Sequence, residues 1–429
     1  MSSHDLCVRL VAAGVLCWAS FAVPNVTALE IVKDKFSIHA YFRGTGLVGE
    51  NFNEGKDFSE GSDFQVTLFD DSYFETEMVY RYEKAAAVHF QLALDNGNLF
   101  HVTGDPDHVN IVVRDFYVEA FDVLAEGNTL WVGARKYRRL DEHNFFGAGY
   151  QLNVWDFGRL GIAQGFRRDF GYWGATRGTT AVELSHSKPL RQMSVLDFEK
   201  RITPNSNVIV LTEFQYMGEA RGTFSESGSE YTYTFSPVYG YVIGFEINRW
   251  GEVWTNSLGV TYSIGDVAGS ALSKLNTKGS SEEFLDTTGT VPLTIQYYKQ
   301  KSHRITGTEV GEYAAPRYSI GYLVGYSYDV LAKAEDKSML FVQVKPYRHV
   351  FKNYHFGAEM SYTWNIKGYG TPSFFVVAPT VRYVTDLGAA GKAVLRAFYA
   401  AGVYNGEYLI YSKPSKHVST WGLQFEARF

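Results

Sequence analysis

A side-chain period of two runs through this chain, and no sustained helical period competes with it. Phe74, Thr76, Met78, Tyr80 and Tyr82 alternate with Tyr73, Glu75, Glu77, Val79 and Arg81. Val88, Phe90, Leu92 and Leu94 alternate with His89, Gln91, Ala93 and Asp95. Val208, Val210, Thr212, Phe214 and Tyr216 alternate with Ile209, Leu211, Glu213 and Gln215, and Phe356, Ala358, Met360, Tyr362 and Trp364 with His355, Gly357, Glu359, Ser361 and Thr363. Successive side chains of a strand point to opposite faces, so each segment reads as a strand with one apolar and one more polar face. After residue 28 no apolar run reaches the ~18 residues of a membrane-spanning helix. A soluble sandwich alternates in the same way, but loop sizes separate the two. Thr203–Asn207, Asn248–Glu252 and Gly388–Gly391 read as short turns; Gly49–Ser62, Gly265–Thr290 and Lys299–Ala314 read as long polar loops. Strands of roughly 10 residues with short turns at one end and long loops at the other are the pattern of a transmembrane barrel. The 30 Tyr and 31 Phe suit aromatic girdles at two membrane interfaces. The expected class is all-β: one transmembrane antiparallel barrel.

The first 28 residues read as a secretory signal. Arg9 supplies the positive region, Leu10 to Val23 the apolar region, and Val26-Thr27-Ala28 the small residue at the cleavage position. Residues 29–429 are then a single barrel domain. Both cysteines, Cys7 and Cys17, lie in the signal, so the mature chain has no thiol chemistry. The net charge of −6 comes without a basic stripe, which argues against a nucleic-acid partner. No cofactor motif stands out. Gly104-Asp105-Pro106-Asp107-His108 has two carboxylates but not the remaining ligands of a Ca²⁺ loop and reads as a turn. An outer-membrane hydrolase needs a paired nucleophile and base. His101, His108, His143 and His186 occupy loop-side regions without a nucleophile motif. Ser185 and Ser187 flank His186, but strand neighbours face opposite ways. The chain reads as a channel, not an enzyme.

At the end of the chain, Trp421, Leu423, Phe425, Ala427 and Phe429 oppose Gly422, Gln424, Glu426 and Arg428. This terminal strand, ending on Phe, resembles that of bacterial outer-membrane proteins. Further segments resemble the maltoporin family of sugar porins. They are the start Phe36-Ser-Ile-His-Ala-Tyr41-Phe-Arg43-Gly-Thr-Gly46, the stretch Thr129 to His143, Gly147-Ala-Gly149 followed by Asp156 to Leu160, and Trp421 to Glu426. Their order along the chain carries the resemblance. It implies a trimer of barrels with about 18 strands each in the bacterial outer membrane. Each barrel would conduct maltodextrin-like or other oligosaccharides past lumenal aromatics flanked by ionisable groups. Sugar rings stack their C–H faces on aromatics, and their hydroxyls bond charged groups. Binding must be weak and repeated for transport.

Residue by residue, the resemblance places Tyr41 and Tyr73 in the aromatic row, with Trp250 at its periplasmic end and Tyr404 where the family has Trp. It places Arg43, Glu75, Arg114, Arg139 and Asp141 in the polar track and constriction. The sequence departs from the family at Gln65, where a second arginine is usual, and at Arg428, where the row ends in Trp. No aromatic near Asp105–His108 matches the family's tryptophan from a neighbouring subunit. Only Asn144-Phe145-Phe146 separates His143 from Gly147, where the family has a longer constricting segment. A wider waist and higher conductance are therefore expected, and the solute range stays open between maltodextrins, a related sugar and a broader set. The alternative is a less specific or anion-preferring porin, in which Arg43, Arg114, Arg135 and Arg139 form a ladder. The interleaved Glu75, Glu77 and Asp141 favour a track of mixed sign.

Overall fold

The structure is a computed structural model that describes residues 35–48, 73–83, 85–95, 110–138, 142–154, 157–168, 172–177, 180–182, 185–186, 190–226, 229–235, 237–265, 293–297, 303–330, 336–367, 373–386, 392–410 and 413–428. The signal segment lies outside these residues. The strands are β1 (Phe36–Val48), β2 (Tyr73–Tyr82), β3 (Ala86–Asp95), β4 (Asn110–Phe121), β5 (Thr129–Arg138), β6 (Glu142–Val154), β7 (Gly158–Arg168), β8 (Tyr172–Arg177), β9 (Thr180–Val182), β10 (Ser185–His186), β11 (Leu190–Thr203) and β12 (Ser206–Met217). They continue with β13 (Ala220–Glu226), β14 (Ser229–Phe235), β15 (Val238–Trp250), β16 (Trp254–Ile264), β17 (Leu293–Tyr297), β18 (His303–Ala314), β19 (Tyr318–Val330), β20 (Lys337–His349), β21 (Tyr354–Lys367), β22 (Phe374–Asp386), β23 (Lys392–Ile410) and β24 (Lys413–Arg428).

Each barrel strand pairs antiparallel with the next, forming an 18-stranded sheet. β1 pairs with β24 from Tyr41↔Arg428 to Val48↔Trp421, which closes the sheet into a barrel. Closure leaves the barrel no free edge and pairs its backbone polar groups from strand to strand, the condition for strands in hydrocarbon. The other strands belong to the loops. β10, β13 and β14 make one three-stranded sheet, and β17, β8 and β9 another, so the 169–189 loop pairs with both of its larger neighbours.

Period two sets the two faces. On β12, Ile209, Leu211, Glu213 and Gln215 are buried on the inner face, while Val210 and Phe214 are exposed outward. Register carries this parity around the barrel, because directly paired residues share a face. The outer face presents Val132, Ile162, Leu196, Ile243 and Val260 to the membrane. Tyr80, Tyr82, Trp254, Tyr313, Tyr318 and Tyr354 ring the short-turn end; Tyr239, Tyr262, Tyr362, Trp364 and Phe375 lie toward the long-loop end. These are the two expected girdles.

The short-turn end is uniformly short, and its turns are built locally. At Pro204-Asn205 the Asn205 N–H donates to Thr203 Oγ1 (3.2 Å), and the Thr203 and Ser206 hydroxyls bond each other at 2.7 Å. Between β4 and β5, Asp122 and Leu124 take positive φ, and Asp122 Oδ1 accepts from Gly127 N at 2.7 Å. The reversal after β15 comes at 251–253, so Trp250 is the last residue of a strand and not part of the turn. Gly388–Gly391, Gly49–Ser62 and most of Gly265–Thr290 lie outside the described residues.

The long-loop end is mixed, and two expectations fail there. Residues 303–314 of the Lys299–Ala314 stretch form β18 and are not a loop. Asn144–Phe146 lie inside β6 and are not the remnant of a constricting loop: Arg138 pairs with Glu142, so the connection is 139–141.

Candidate functional site

The inner face of β1 and β2 carries the residues singled out from the sequence. Tyr41 pairs with Glu75 and Arg43 with Tyr73, so aromatic and charged positions form a two-by-two checkerboard in one parity class. On the other side of β1, Tyr41 pairs with Arg428 and Arg43 with Glu426. Thus Arg428, the departure from the family's terminal Trp, places a cation position beside Tyr41. For Arg43, Tyr73, Glu75 and Arg428 only the strand position is described.

The remaining predicted residues scatter. Arg114 is the residue skipped where β4 shifts register, between Gln91↔Asp115 and Leu92↔Val113. Such a bulge re-aims a strand. Arg139 and Asp141 lie outside the described residues, as does the Asp105–His108 segment. Trp250 is half-buried, in the parity class of Val242 and Glu246, at the short-turn end. Tyr404 has inner parity but is only 4% exposed and stacks on Phe374 at 4.2 Å, which leaves little ring area for a solute.

Two side-chain clusters not singled out from the sequence flank this checkerboard. The first spans β2 to β5. His89 Nδ1 lies 3.1 Å from Glu77 Oε1, and its Nε2 lies 3.6 Å from Glu119. The imidazole stacks on Tyr117 at 4.4 Å and 6°. The Arg135 guanidinium lies 4.7 Å from the Tyr117 ring centre, 5.3 Å from that of Trp131 and 3.7 Å from Glu119. Glycines make this stack possible. Gly133 has φ +137°, and a Cβ there would strike Tyr117; a Cβ at Gly149 would strike the Trp131 indole. The signal for these residues was period two itself, because His89, Tyr117, Trp131 and Arg135 all fall on inner positions.

The second cluster spans β19 to β24. The rings of His349 and His355 stack at 3.9 Å. Arg382 lies 3.9 Å over the Tyr347 ring, donates from Nε to His355 Nδ1 at 2.9 Å and from Nη2 to Ser319 Oγ at 3.0 Å. Tyr347 donates to Glu359 at 2.8 Å, and Lys345 lies 3.7 Å from the same carboxylate. Arg396, the direct partner of Arg382 across β22 and β23, donates to Gln424 and, at 3.0 Å, to Glu426.

The opposite wall is different. Ala163, Met193, Val195, Leu211 and Val242 on β7, β11, β12 and β15 join Tyr117 and Trp131 in one apolar cluster. Met193, Leu211 and Val242 are 0–2% exposed although their parity is inner. These three side chains are therefore covered and offer no exposed apolar surface to a solute.

From β20 around through β1 to β5, cations, carboxylates and aromatic rings stand close together on inner positions. That arrangement offers several weak contacts in sequence and no strong single site, as passage requires. It holds no described cluster of three metal-ligating side chains. Ser185 and His186 form the two-residue β10 in a loop sheet.

Solved structures to which the chain is similar include OmpT, an outer-membrane protein of Vibrio cholerae, at 11% identity over 93% of this chain and 99% of that one, TM-score 0.43. They include the outer membrane channel DcaP of Acinetobacter baumannii, at 9% identity over 93% and 99%, TM-score 0.45. They also include OccK10 of Pseudomonas aeruginosa, at 9% identity over 92% and 99%, TM-score 0.47. No curated protein matches the chain. The model of the LamB porin family matches residues 36–429, every barrel strand from β1 to β24. A closed 18-stranded barrel, with a charged and aromatic inner wall and this match from first strand to last, makes the chain a bacterial outer-membrane porin that belongs to the LamB porin family.

Proposed function

We propose that this porin is a diffusion channel for sugars, most directly oligosaccharides, and that it works as a homotrimer without catalysing a reaction. One observation carries the reading: the register Tyr41↔Glu75 and Arg43↔Tyr73, which alternates stacking rings with charged hydrogen-bonding groups on the inner face. A pyranose sliding along that pattern exchanges one C–H/ring contact and one charged hydroxyl contact for the next, at nearly constant energy. Arg114, Arg139 and Asp141 extend the track toward the long-loop end, and Trp250 receives the sugar at the periplasmic end. Tyr404 contributes to wall packing in this reading. The barrel's outer face, not the pathway, meets outer-membrane lipid.

The anion-preferring alternative takes support from the Arg382–Arg396 pairing. The carboxylates interleaved with these arginines, Glu77, Glu119, Glu359 and Glu426, favour the mixed track. The deciding experiment is current through the reconstituted channel during titration with a panel of sugars. Saturable block that deepens from mono- to oligosaccharides is expected; conductance indifferent to every sugar, with strong anion selectivity, would favour the alternative. In unheated detergent gels the protein should run as a high-mass species that collapses on boiling. A monomer under those conditions would remove the trimer from the proposal.

A further inference from the structure

Three lumenal cations sit close together on β20, β22 and β23, and they are treated differently. Lys345 has Glu359, and Arg396 has Glu426. Arg382 has neutral partners alone: the Tyr347 ring, Ser319 Oγ and His355 Nδ1. Among the described residues no carboxylate forms an ion pair with it, although it faces Arg396 directly across the strand pair. Like charges in that position repel, while the carboxylates of Glu312 and Glu359 act on it from beyond ion-pair distance.

Its partners fix its orientation. The ring covers the guanidinium plane, and Nε and Nη2 are spent on His355 and Ser319, while Nη1 makes no bond among the described residues. A guanidinium can only donate. Its bond to His355 Nδ1 therefore makes that nitrogen an acceptor and leaves the neutral imidazole's proton on Nε2. The stacked partner is fixed as well: His349 Nδ1 lies 3.1 Å from the Pro316 carbonyl, and its Nε2 lies 3.4 Å from Ser319 Oγ. His349 ends β20 and His355 is the second residue of β21, so the group stands at the short-turn end, the periplasmic mouth.

We infer that Arg382, with the His355 Nε2–H beside it, forms a subsite for the carboxylate of an acidic saccharide leaving the channel toward the periplasm. The oriented guanidinium offers free N–H donors, and an ionic hydrogen bond to carboxylate is roughly twice as strong as a neutral one. Neutral sugars lack the group that exploits this. The inference extends the sugar-channel reading by naming a solute class and rests on that reading for the rest of the path.

The test compares half-blocking concentrations of glucuronate and glucose at constant ionic strength, in the wild-type channel and in Arg382→Gln. The wild type should bind glucuronate about tenfold more tightly than glucose. Arg382→Gln should bring that ratio close to one, because glucuronate block weakens far more than glucose block. His355→Ala, which keeps the Tyr347 stack and loosens only the fork, should reduce the ratio by about two- to threefold, so the inference stays testable if Arg382→Gln fails to form heat-modifiable trimers. A glucuronate-to-glucose ratio near one in the wild type, or one unchanged in both variants, would overturn the subsite. Loss of glucose block in the wild type with the glucuronate preference intact would instead overturn the neutral-sugar pathway.

Discussion

The two sides of the lumen share one backbone design and carry different side chains. From β20 through β1 to β5 the inner positions include Lys345, Arg382, Arg396, Glu426, Tyr41, Glu77, His89, Glu119 and Arg135, beside the buried Phe341 and Phe398. From β7 to β15 they include Ala163, Val195, Leu211 and Val242, almost wholly covered, with the buried polar Asp197, Glu213 and Gln215 among them. Alternation decides which residues face inward; it does not decide what the inner face is for. Around Leu211 the cost of a substitution follows lost apolar contact and volume. Around Arg396 and Arg135 it follows lost charged contacts.

If that contrast is right, the largest effect on stability comes from the covered wall. Leu211→Ala should destabilise the barrel by about 2–5 kcal/mol, as for a buried leucine that leaves a cavity, with sugar block unchanged. The midpoint of heat-modifiable gel migration would read the first effect and bilayer current the second. A variant of full stability with altered block would put Leu211 on the pathway. A middle-sized effect is expected from Glu426→Gln, which removes the carboxylate facing Arg396 at 3.0 Å. Losing a charged hydrogen bond costs about 1.5–3 kcal/mol, and the freed arginine should move the reversal potential toward anion selectivity. An unmoved reversal potential would mean that this pair does not face the permeating ions. The smallest of these effects belongs to Glu119→Gln, whose partners Arg135 and His89 lie at 3.7 and 3.6 Å. Both separations are longer than a hydrogen bond, so stability should fall by less than in Glu426→Gln, with a slight shift toward anions. A large loss of stability there would make the β2–β5 cluster a packing element like its opposite wall.

Much of this was legible in period two. The parities read for the β2, β3, β12, β21 and β24 segments hold in the structure, where the outer residues are mostly apolar and the inner ones mixed, from Glu213 and Gln215 to the buried Leu211. β18 escaped detection for a physical reason. Its inner Arg304, Thr306 and Glu312 are polar, but its outer face contains Gly307, Glu309 and Gly311. Glu309 is satisfied there by Asn256 Nδ2 (2.9 Å) and the Tyr322 hydroxyl (3.2 Å). With both faces polar, no alternation is visible. Phe145-Phe146 beside Gly147 hid the continuity of β6 in the same way, by placing aromatics on both faces. His349, His355, Arg382 and Arg396 are brought together by register across four strands, which sequence spacing does not reveal.

The most direct test of the sugar pathway is oligosaccharide block of ion current in Tyr41→Ala, Tyr73→Ala and Phe42→Ala. Phe42 is one residue from Tyr41 but packs against Phe425 in the outward parity class, at 5.8 Å. Loss of a stacking ring, worth about 0.5–1.5 kcal/mol, should weaken block by about two- to tenfold in each Tyr variant. Ion conductance should stay level or rise slightly. The Phe42 variant should lose barrel stability and keep normal block. Abolished block in Phe42→Ala with unaltered block in both Tyr variants would contradict the inner-face assignment and the pathway built on it.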